Sequence, residues 1–497
     1  MKKAVASRNL VLPGPLPDEM RAKLQIEIEY YEETVMWGVD EVTGRRVRDV
    51  VPEQGTHLVD LSTTLTSGHV VCPRHAFSED ELQKWGYEVE WVFPERERFP
   101  ELAEVGKRII MRSGTQEDAL TSLLFYQGGF LMLAPGKGKT VIALKAAAAF
   151  QERTLVFVDN GGLLTQWQER IKEFWGMPEE EIGILQGPAD RWNWEDPVIS
   201  VAMFSSFHLQ HQAGAIPPHF FDHFGTVIWD EAQLAKSETR APTLSMFPSR
   251  RIGLSATPGR DGTQDMLFAH IGRPRVVDLK SDLNPQCHFI RVKPETAMNY
   301  PAFGGGQMVY TQMLSDCLGN AKKDPDPAYY ATIVELIEKL REEDRKIIAI
   351  IGRAKTGRML EDDLEGMVFI NQDVGFRVRD RELNRTDIVG VTPQIGERAL
   401  DRKSLDTLIM CFPVGRKAID RAQQAAGRVL RAAEDKKQPK VYVLYPDIGA
   451  GRSLAAANEK LFEELGYEIA EPASKAYEPG GGRRKRRIAK PAPRRIR

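Results

Sequence analysis

Gly136-Lys-Gly-Lys-Thr140 is the segment whose residue types and spacing most sharply imply chemistry. Glycines let backbone N–H groups approach phosphate oxygens, and a helix opening directly afterwards adds a favourable dipole. Both flanks fit: the apolar run Phe130 to Leu133 precedes the segment, and the Ala-rich stretch Val141 to Phe150 follows it. In such a loop Lys139 reaches the β- and γ-phosphates of ATP, and the Thr140 hydroxyl ligates Mg2+. Pro135, Gly136, Lys137 and Gly138 complete the expected cradle, although the strict pattern asks for glycine where Leu133 stands. A second segment, Val227-Ile-Trp-Asp-Glu-Ala-Gln233, places a pair of acids at the end of an apolar run. At the carboxyl edge of a sheet Asp230 suits Mg2+ and Glu231 suits polarising an attacking water. A strand followed by Asp-Glu is common, and it gains meaning here by lying 91 positions beyond Lys139.

With these two segments in place, the chain resembles a superfamily 2 helicase or translocase, because further motifs recur in that family's order. Asp230-Glu-Ala-Gln233 resembles the DEAD/DEAH box, with Gln233 where the family often has His or Asp. Ser255-Ala-Thr257 resembles motif III, and Gln424-Ala-Ala-Gly-Arg-Val-Leu-Arg431 resembles motif VI. Val389-Gly-Val-Thr392, followed by Gly396 to Asp401, is similar to motif V, and Leu163-Leu-Thr-Gln-Trp167 is similar to motif Ia. Gln116, 17 positions before Leu133, stands where the family's adenine-reading glutamine is expected. The resemblance implies that Gln424, Arg428 and Arg431 act on the phosphates as catalytic residues. It also implies that Gln166, Trp167, Ser255, Thr257 and Thr392 contact nucleic acid or couple it to ATP.

The Leu-x-x-Gln-Trp form, and Ser255-Ala-Thr-Pro followed by Gly259-Arg260, look more like the DNA-directed branch than like RNA-directed DEAD-box proteins. The size and small N-terminal region look most like the compact phage branch-migration helicases, with restriction-enzyme motors as further kin. The implied activity is ATP-dependent movement on, and remodelling or unwinding of, single-stranded, forked or branched DNA in repair, recombination or replication. An RNA helicase, or an ATP-driven remodelling protein without strand separation, are the alternatives. A monomer in a bacterial or phage-infected cytoplasm is expected.

The elements that must position these residues follow an alternating rhythm. Between about Ile109 and Ile271, Phe130 to Leu133, Thr154 to Val158, Val198 to Met203, Thr226 to Trp229 and Arg251 to Leu254 read as buried strands separated by amphipathic stretches. That is the pattern of a parallel sheet covered by helices on both faces. The rhythm resumes from Ile333, with strands expected at Lys346 to Ile351, Asp387 to Val391, Thr407 to Cys411 and Lys440 to Tyr445. The expected fold class is α/β, with two tandem RecA-like P-loop domains, a small N-terminal α+β domain and a basic C-terminal tail. Boundaries are expected at 1–95 (accessory domain, with DNA contact or plain solvation as the readings of Arg45, Arg46 and Arg48), 96–273 (first lobe), 274–327 (a Pro/Gly-rich connection), 328–467 (second lobe) and 468–497 (flexible tail).

Composition narrows the class further. The chain is 42% hydrophobic and 28% charged, as in soluble globular proteins, and no run approaches the roughly 18 apolar residues of a membrane span. No N-terminal apolar stretch suits a signal peptide, so the chain is expected to stay where it is made. The four cysteines are scattered, which argues against a disulfide framework, and Cys72 with His75 has metal-like spacing but no second pair. The net charge of −2 hides nine Lys or Arg and no acid in Arg483 to Arg497, leaving a body near −11. A basic arm on an acidic body suits polyanion contact, or simply solvation.

Overall fold

The computed structural model describes residues 2–6, 9–39, 46–93, 95–134, 136–236, 241–256, 263–278, 285–296, 298, 306–371, 386–393, 404–414 and 437–473. Of these, 27–58, 236, 241–242, 263 and 306–308 are described by backbone alone. The N-terminal region builds a mixed sheet from β1 (Lys2–Ala6), β2 (Asn9–Leu12), β5 (Thr63–Thr64), β6 (Val70–Pro73) and β7 (Tyr87–Trp91), in the order β5-β6-β2-β1-β7. Helices α1 (Asp18–Leu24) and α2 (Glu79–Lys84) cover it, and Ala4, Leu10, Leu12, Met20, Leu82 and Tyr87 form its core. Ser78 starts α2 with a reciprocal capping box to Glu81, which satisfies two otherwise orphaned N–H groups. Between these elements, β3 (Gln25–Val39) and β4 (Arg46–Asp60) pair as a separate antiparallel ribbon, registered from Gln25 opposite Asp60 to Val39 opposite Arg46. The alternation Gln-Ile-Glu-Ile-Glu at its root is the period-2 pattern of a strand.

The first lobe contains α3 (Glu101–Arg108), α4 (Gly114–Phe125), β8 (Gly128–Leu133), α5 (Lys139–Phe150), β9 (Thr154–Val158), α6 (Gly161–Trp175), β10 (Gly183–Leu185) and β11 (Ile199–Met203). It continues with α7 (Phe204–Gln212), α8 (Phe220–His223), β12 (Thr226–Trp229), β13 (Arg250–Ser255), α9 (Thr263–Ile271) and β14 (Pro274–Asp278). Its strands form one parallel sheet, β10-β11-β9-β12-β13-β8-β14. Burial on both faces explains the nearly unbroken apolar strands. One face packs Leu131, Val156 and Ile228 against α5 and α6. The other gathers Phe130, Phe157, Phe204, Phe207, Phe220 and Trp229.

The second lobe contains β15 (Gln286–Val292), α10 (Gly306–Leu318), α11 (Pro327–Glu342), β16 (Ile347–Ile350), α12 (Ala354–Asp363), β17 (Met367–Ile370) and β18 (Ile388–Val391). β19 (Thr407–Met410), β20 (Lys440–Pro446), α13 (Gly449–Glu464) and β21 (Glu468–Glu471) complete its described elements. This sheet runs β17-β18-β16-β19-β20-β15-β21 and is again parallel. Numbered within its own lobe, each sheet has the order 3-4-2-5-6-1-7, so the shared α/β rhythm reflects a shared topology.

Two expectations change at the lobe borders. The stretch 274–327 is not merely a connection: β14 extends the first sheet, and β15 with α10 belongs to the second lobe. Pro274 disguises β14, yet proline is tolerated at the first residue of an edge strand, where no ladder N–H is needed. Likewise β21 lies at 468–471, inside the stretch expected as tail, while 474–497 with the basic arm lies outside the described residues. The Arg45 of the proposed basic cluster also lies outside them.

The N-terminal domain docks on the first lobe through polar contacts at three points. Arg74 Nη1 donates to Pro248 O at 2.7 Å, the His75 N–H donates to Ala269 O at 2.8 Å, and Arg273 pairs with Glu81 at 2.8 Å. Cys72 is buried with its thiol directed to Leu10 O, and no group of three or more metal-ligating residues occurs among the described residues. Cys72 lies in β6 and His75 in the turn that follows, the turn whose N–H makes the docking bond. Among the described residues no helix is long and apolar enough to cross a membrane.

Gly253 sets how closely β13 fits between its neighbours. A Cβ there would lie 2.5 Å from the Phe130 ring, which is itself fully buried and has nowhere to move. Gly253→Ala should therefore lower stability by about 2 kcal/mol in urea unfolding, despite its better intrinsic propensity; an unchanged midpoint would show that the sheet can relax.

Candidate nucleotide site

Parallel strands bring all their carboxyl ends to one edge. Cross-strand register places Gly253 beside both Trp229 and Phe130, and Ser255 beside Met132. The loop after β8, Ser255 at the end of β13 and Asp230 after β12 therefore converge from three adjacent strands.

The loop owes its path to left-handed glycines, Gly136 at φ 86° and Gly138 at φ 81°. Its backbone is braced from two sides. Gln116 on α4 donates Nε2–H to Lys137 O at 3.0 Å, while its Oε1 accepts the Arg112 N–H at 2.7 Å. Lys137 Nζ pairs with Asp278 Oδ2 at 3.1 Å, at the end of β14. Lys139 opens α5 and folds back across the loop, donating from Nζ to Leu133 O at 2.8 Å. Leu133 is fully buried as the last residue of β8, so the position where the strict pattern wants glycine is strand core rather than loop. Thr140 occupies the second position of α5 and is half-buried.

Asp230 is only 8% exposed, and both of its oxygens accept hydrogen bonds: Oδ2 from Trp167 Nε1–H at 2.8 Å and Oδ1 from the Glu231 N–H at 3.0 Å. Burial, and secondarily the charge of Glu231, push its pKa up to about 6, against the Trp167 hydrogen bond and the nearby Lys139 ammonium. Glu231 has φ 49°, a left-handed conformation costly for a residue with a Cβ and concentrated at functional sites. Its carboxylate accepts from Gln233 Nε2–H at 2.6 Å, and Gln233 Oε1 accepts the Ser255 hydroxyl at 2.6 Å. The amide of Gln233, which donates on one side and accepts on the other, thus links the acid pair to the end of β13.

This arrangement brings together Gln116, Gly136, Lys137, Gly138, Lys139, Thr140, Asp230, Glu231 and Ser255 at one sheet edge. It corrects Trp167: the ring is 1% exposed and turned to Asp230, so it is not placed to touch a nucleic-acid strand, although its neighbour Gln166 is half-buried on the same helix. Thr392 follows β18 in the second lobe, where its N–H donates to Ile370 O at 3.3 Å and its buried hydroxyl has no hydrogen-bond partner among the described residues. Pro135, Thr257, Gln424, Arg428 and Arg431 lie outside the described residues. Sequence reading missed Asp278 as the partner of Lys137, and Gln233 as a bridge. Only the second had a signal, its adjacency to the acid pair.

A magnesium nucleotide fits what is present. The donors are hard oxygens, on Thr140 and Asp230, and two left-handed glycines lead into the N-terminus of α5, which Lys139 opens.

The family match falls on the same segments. Residues 111–260 match the family "Type III restriction enzyme, res subunit". Putative helicase 109L of Invertebrate iridescent virus 3 is 30% identical over 43% of this chain and 64% of its own length. A Putative DNA 3'-5' helicase Rad25 of Halobacterium salinarum is 23% identical over 64% of this chain, but over 51% of its own length. The chain thus spans less than two thirds of either relative. In fold, it is similar to S. cerevisiae Dbp5 bound to RNA and ADP BeF3, with a TM-score of 0.55 at 13% identity, covering 75% of this chain and 93% of that one.

In these matches the chain is similar to helicases of superfamily 2, which they support as its kin. Its two parallel sheets are the tandem RecA-like lobes of that superfamily, and the match over 111–260 takes in Gln116, the phosphate loop, Trp167, the acid pair and Ser255.

Gly138 tests the loop geometry directly. A Cβ on it would meet Gln116 Nε2 at 2.3 Å in a backbone conformation that already disfavours side chains. Gly138→Ala should cost roughly 1–2 kcal/mol in urea unfolding, and Gln116→Ala in the same chain should recover part of that loss. Strictly additive effects would show that the two residues do not press on each other.

Proposed function

We propose that this chain is an ATP-dependent DNA helicase or translocase that couples hydrolysis to movement on, and remodelling of, duplex or branched DNA in repair, recombination or replication. The observation that carries this reading is the convergence of the Gly136–Thr140 loop with Asp230, Glu231 and Ser255 at one sheet edge, in a chain with a second lobe of the same topology. The DNA assignment is supported by the name of the Halobacterium relative and by the restriction-enzyme family match.

In this reading the loop N–H groups and Lys139 bind phosphate oxygens, and Gln116 reads the base while bracing the loop. Thr140 and Asp230 would hold Mg2+, which would neutralise phosphate charge when bound. Glu231 orients the attacking water and accepts its proton, and Gln233 holds that carboxylate in register with Ser255. Gln424, Arg428 and Arg431 bring positive charge from the second lobe, where arginine contributes roughly 10³–10⁵ in rate. Gln166, Thr257 and Thr392 contact the DNA or couple it to the state of the ATP. A motor that passes over any sequence depends on phosphate contacts, so its affinity falls steeply with salt. The basic arm adds to that term.

The decisive measurement is ATPase activity with single-stranded, duplex and forked DNA and with RNA, followed by strand separation on whichever stimulates. DNA stimulation that Lys139→Ala abolishes is expected. Stimulation by RNA alone, or by no nucleic acid, would overturn the DNA reading.

A pH dependence follows from Asp230. Its pKa is raised from 3.8 to about 6, so the carboxylate needed for the cation is lost as pH falls through that value. Mg2+-dependent nucleotide affinity should decline below pH 6 by up to about tenfold per pH unit, because protons compete for the ligand. Flat calorimetric affinity from pH 7 to pH 5 would remove Asp230 from the metal site.

A further inference from the structure

Adjacent residues of α6 have different surroundings, and Trp167 is the one with no route to solvent. Its ring lies in the core with Leu164, Ile171, Val156 and Ile228, which fixes both its position and the direction of its single N–H. An indole offers one donor and no acceptor. Here that donor goes to Asp230 Oδ2 at 2.8 Å, while the Glu231 N–H occupies Oδ1. An ionised carboxylate has about four lone-pair directions, so two remain for a cation once these two are spent. The two hydrogen bonds come from different elements: one from the turn after β12, the other from a helix that starts 69 residues before Asp230, at Gly161.

We propose that Trp167 is a positioning residue for Asp230: its indole N–H fixes the orientation from which that carboxylate meets Mg2+, and so ties the metal position to α6. The inference rests on the proposed nucleotide site. Groups that orient a metal's carboxylate ligand are worth roughly 10–100-fold in metal affinity. Phenylalanine would fill most of the ring's volume but leave Asp230 Oδ2 without its donor. Because α6 also carries Gln166, any shift of this helix is passed to the carboxylate through one rigid side chain.

The test compares wild type and Trp167→Phe by calorimetric titration of the full chain with ADP, once in Mg2+ and once in EDTA. Expected is an unchanged affinity in EDTA and a Mg2+-dependent gain reduced about tenfold. A lower Tm with the same Mg2+-dependent gain would mean that the ring only packs, and would overturn the proposal. If wild type itself shows no ADP binding in either condition, the nucleotide reading fails first, and the two failures are thereby told apart. Should Trp167→Phe not fold, wild type decides by indole NMR. Of its eight tryptophans, one indole N–H signal should shift when Mg2+ is added to the ADP-bound chain, because the carboxylate that accepts from it yields charge to the cation. No such signal would overturn the proposal.

Discussion

The backbone hydrogen bonds that hold β8, β13 and β12 side by side in parallel do most to determine the site. With Gly253 registered between Phe130 and Trp229, the residues that follow each strand leave the sheet at the same edge. The phosphate loop, the acid pair and Ser255 lie far apart in the chain, Asp230 91 and Ser255 116 positions beyond Lys139, and the register alone makes them neighbours. Side chains then refine what the backbone brings close. Gln233 spans Glu231 and Ser255, and Lys137 spans the loop and β14. Losing the register would lose the site, whereas losing any one side chain would loosen it.

Much of this was legible in the sequence because burial on both faces forces apolar runs. Thr154–Val158 and Thr226–Trp229 match their expected bounds, and the loop and acid pair sit where their flanks imply. What escaped has physical causes. β14 is an edge strand that begins with proline, so its composition resembles a turn. β10 has three residues, too few for any period to appear. Contact of Trp167 with a strand was not excluded by the sequence, because a motif spacing identifies a helix face without saying whether an aromatic on it points outward or inward. Here the sheet claims it, as large rings on helices that cover a parallel sheet usually end in the core.

The same topology in both lobes bears on what the fold can transmit. Each sheet has the order 3-4-2-5-6-1-7, with its first strand placed between its sixth and seventh. In the first lobe that seventh strand, β14, ends at Asp278, the residue that pairs with Lys137 of the phosphate loop. Chain leaving the first lobe toward the second is therefore anchored electrostatically at the loop, through a pair whose lysine is largely shielded from water. Such a pair is worth more than an exposed one, because a lower effective dielectric strengthens the attraction.

The site as it stands is internally satisfied at some cost. Lys139 donates to Leu133 O, Asp230 accepts from Trp167 and the Glu231 N–H, and Glu231 is held by Gln233 in a left-handed conformation. Burying Asp230 beside Glu231 raises its pKa, which means that near neutral pH the folded state holds a carboxylate less comfortably than the unfolded chain does. The sign is clear: a carboxyl group raised to about 6 contributes stability only when protonated, and that contribution fades as pH climbs from 3.8 through 6. A cation at Asp230 would reverse the penalty by giving the second negative charge a partner. The strain and the unfavourable charge pair thus belong to one design, in which groups kept close together without a ligand gain most when one arrives.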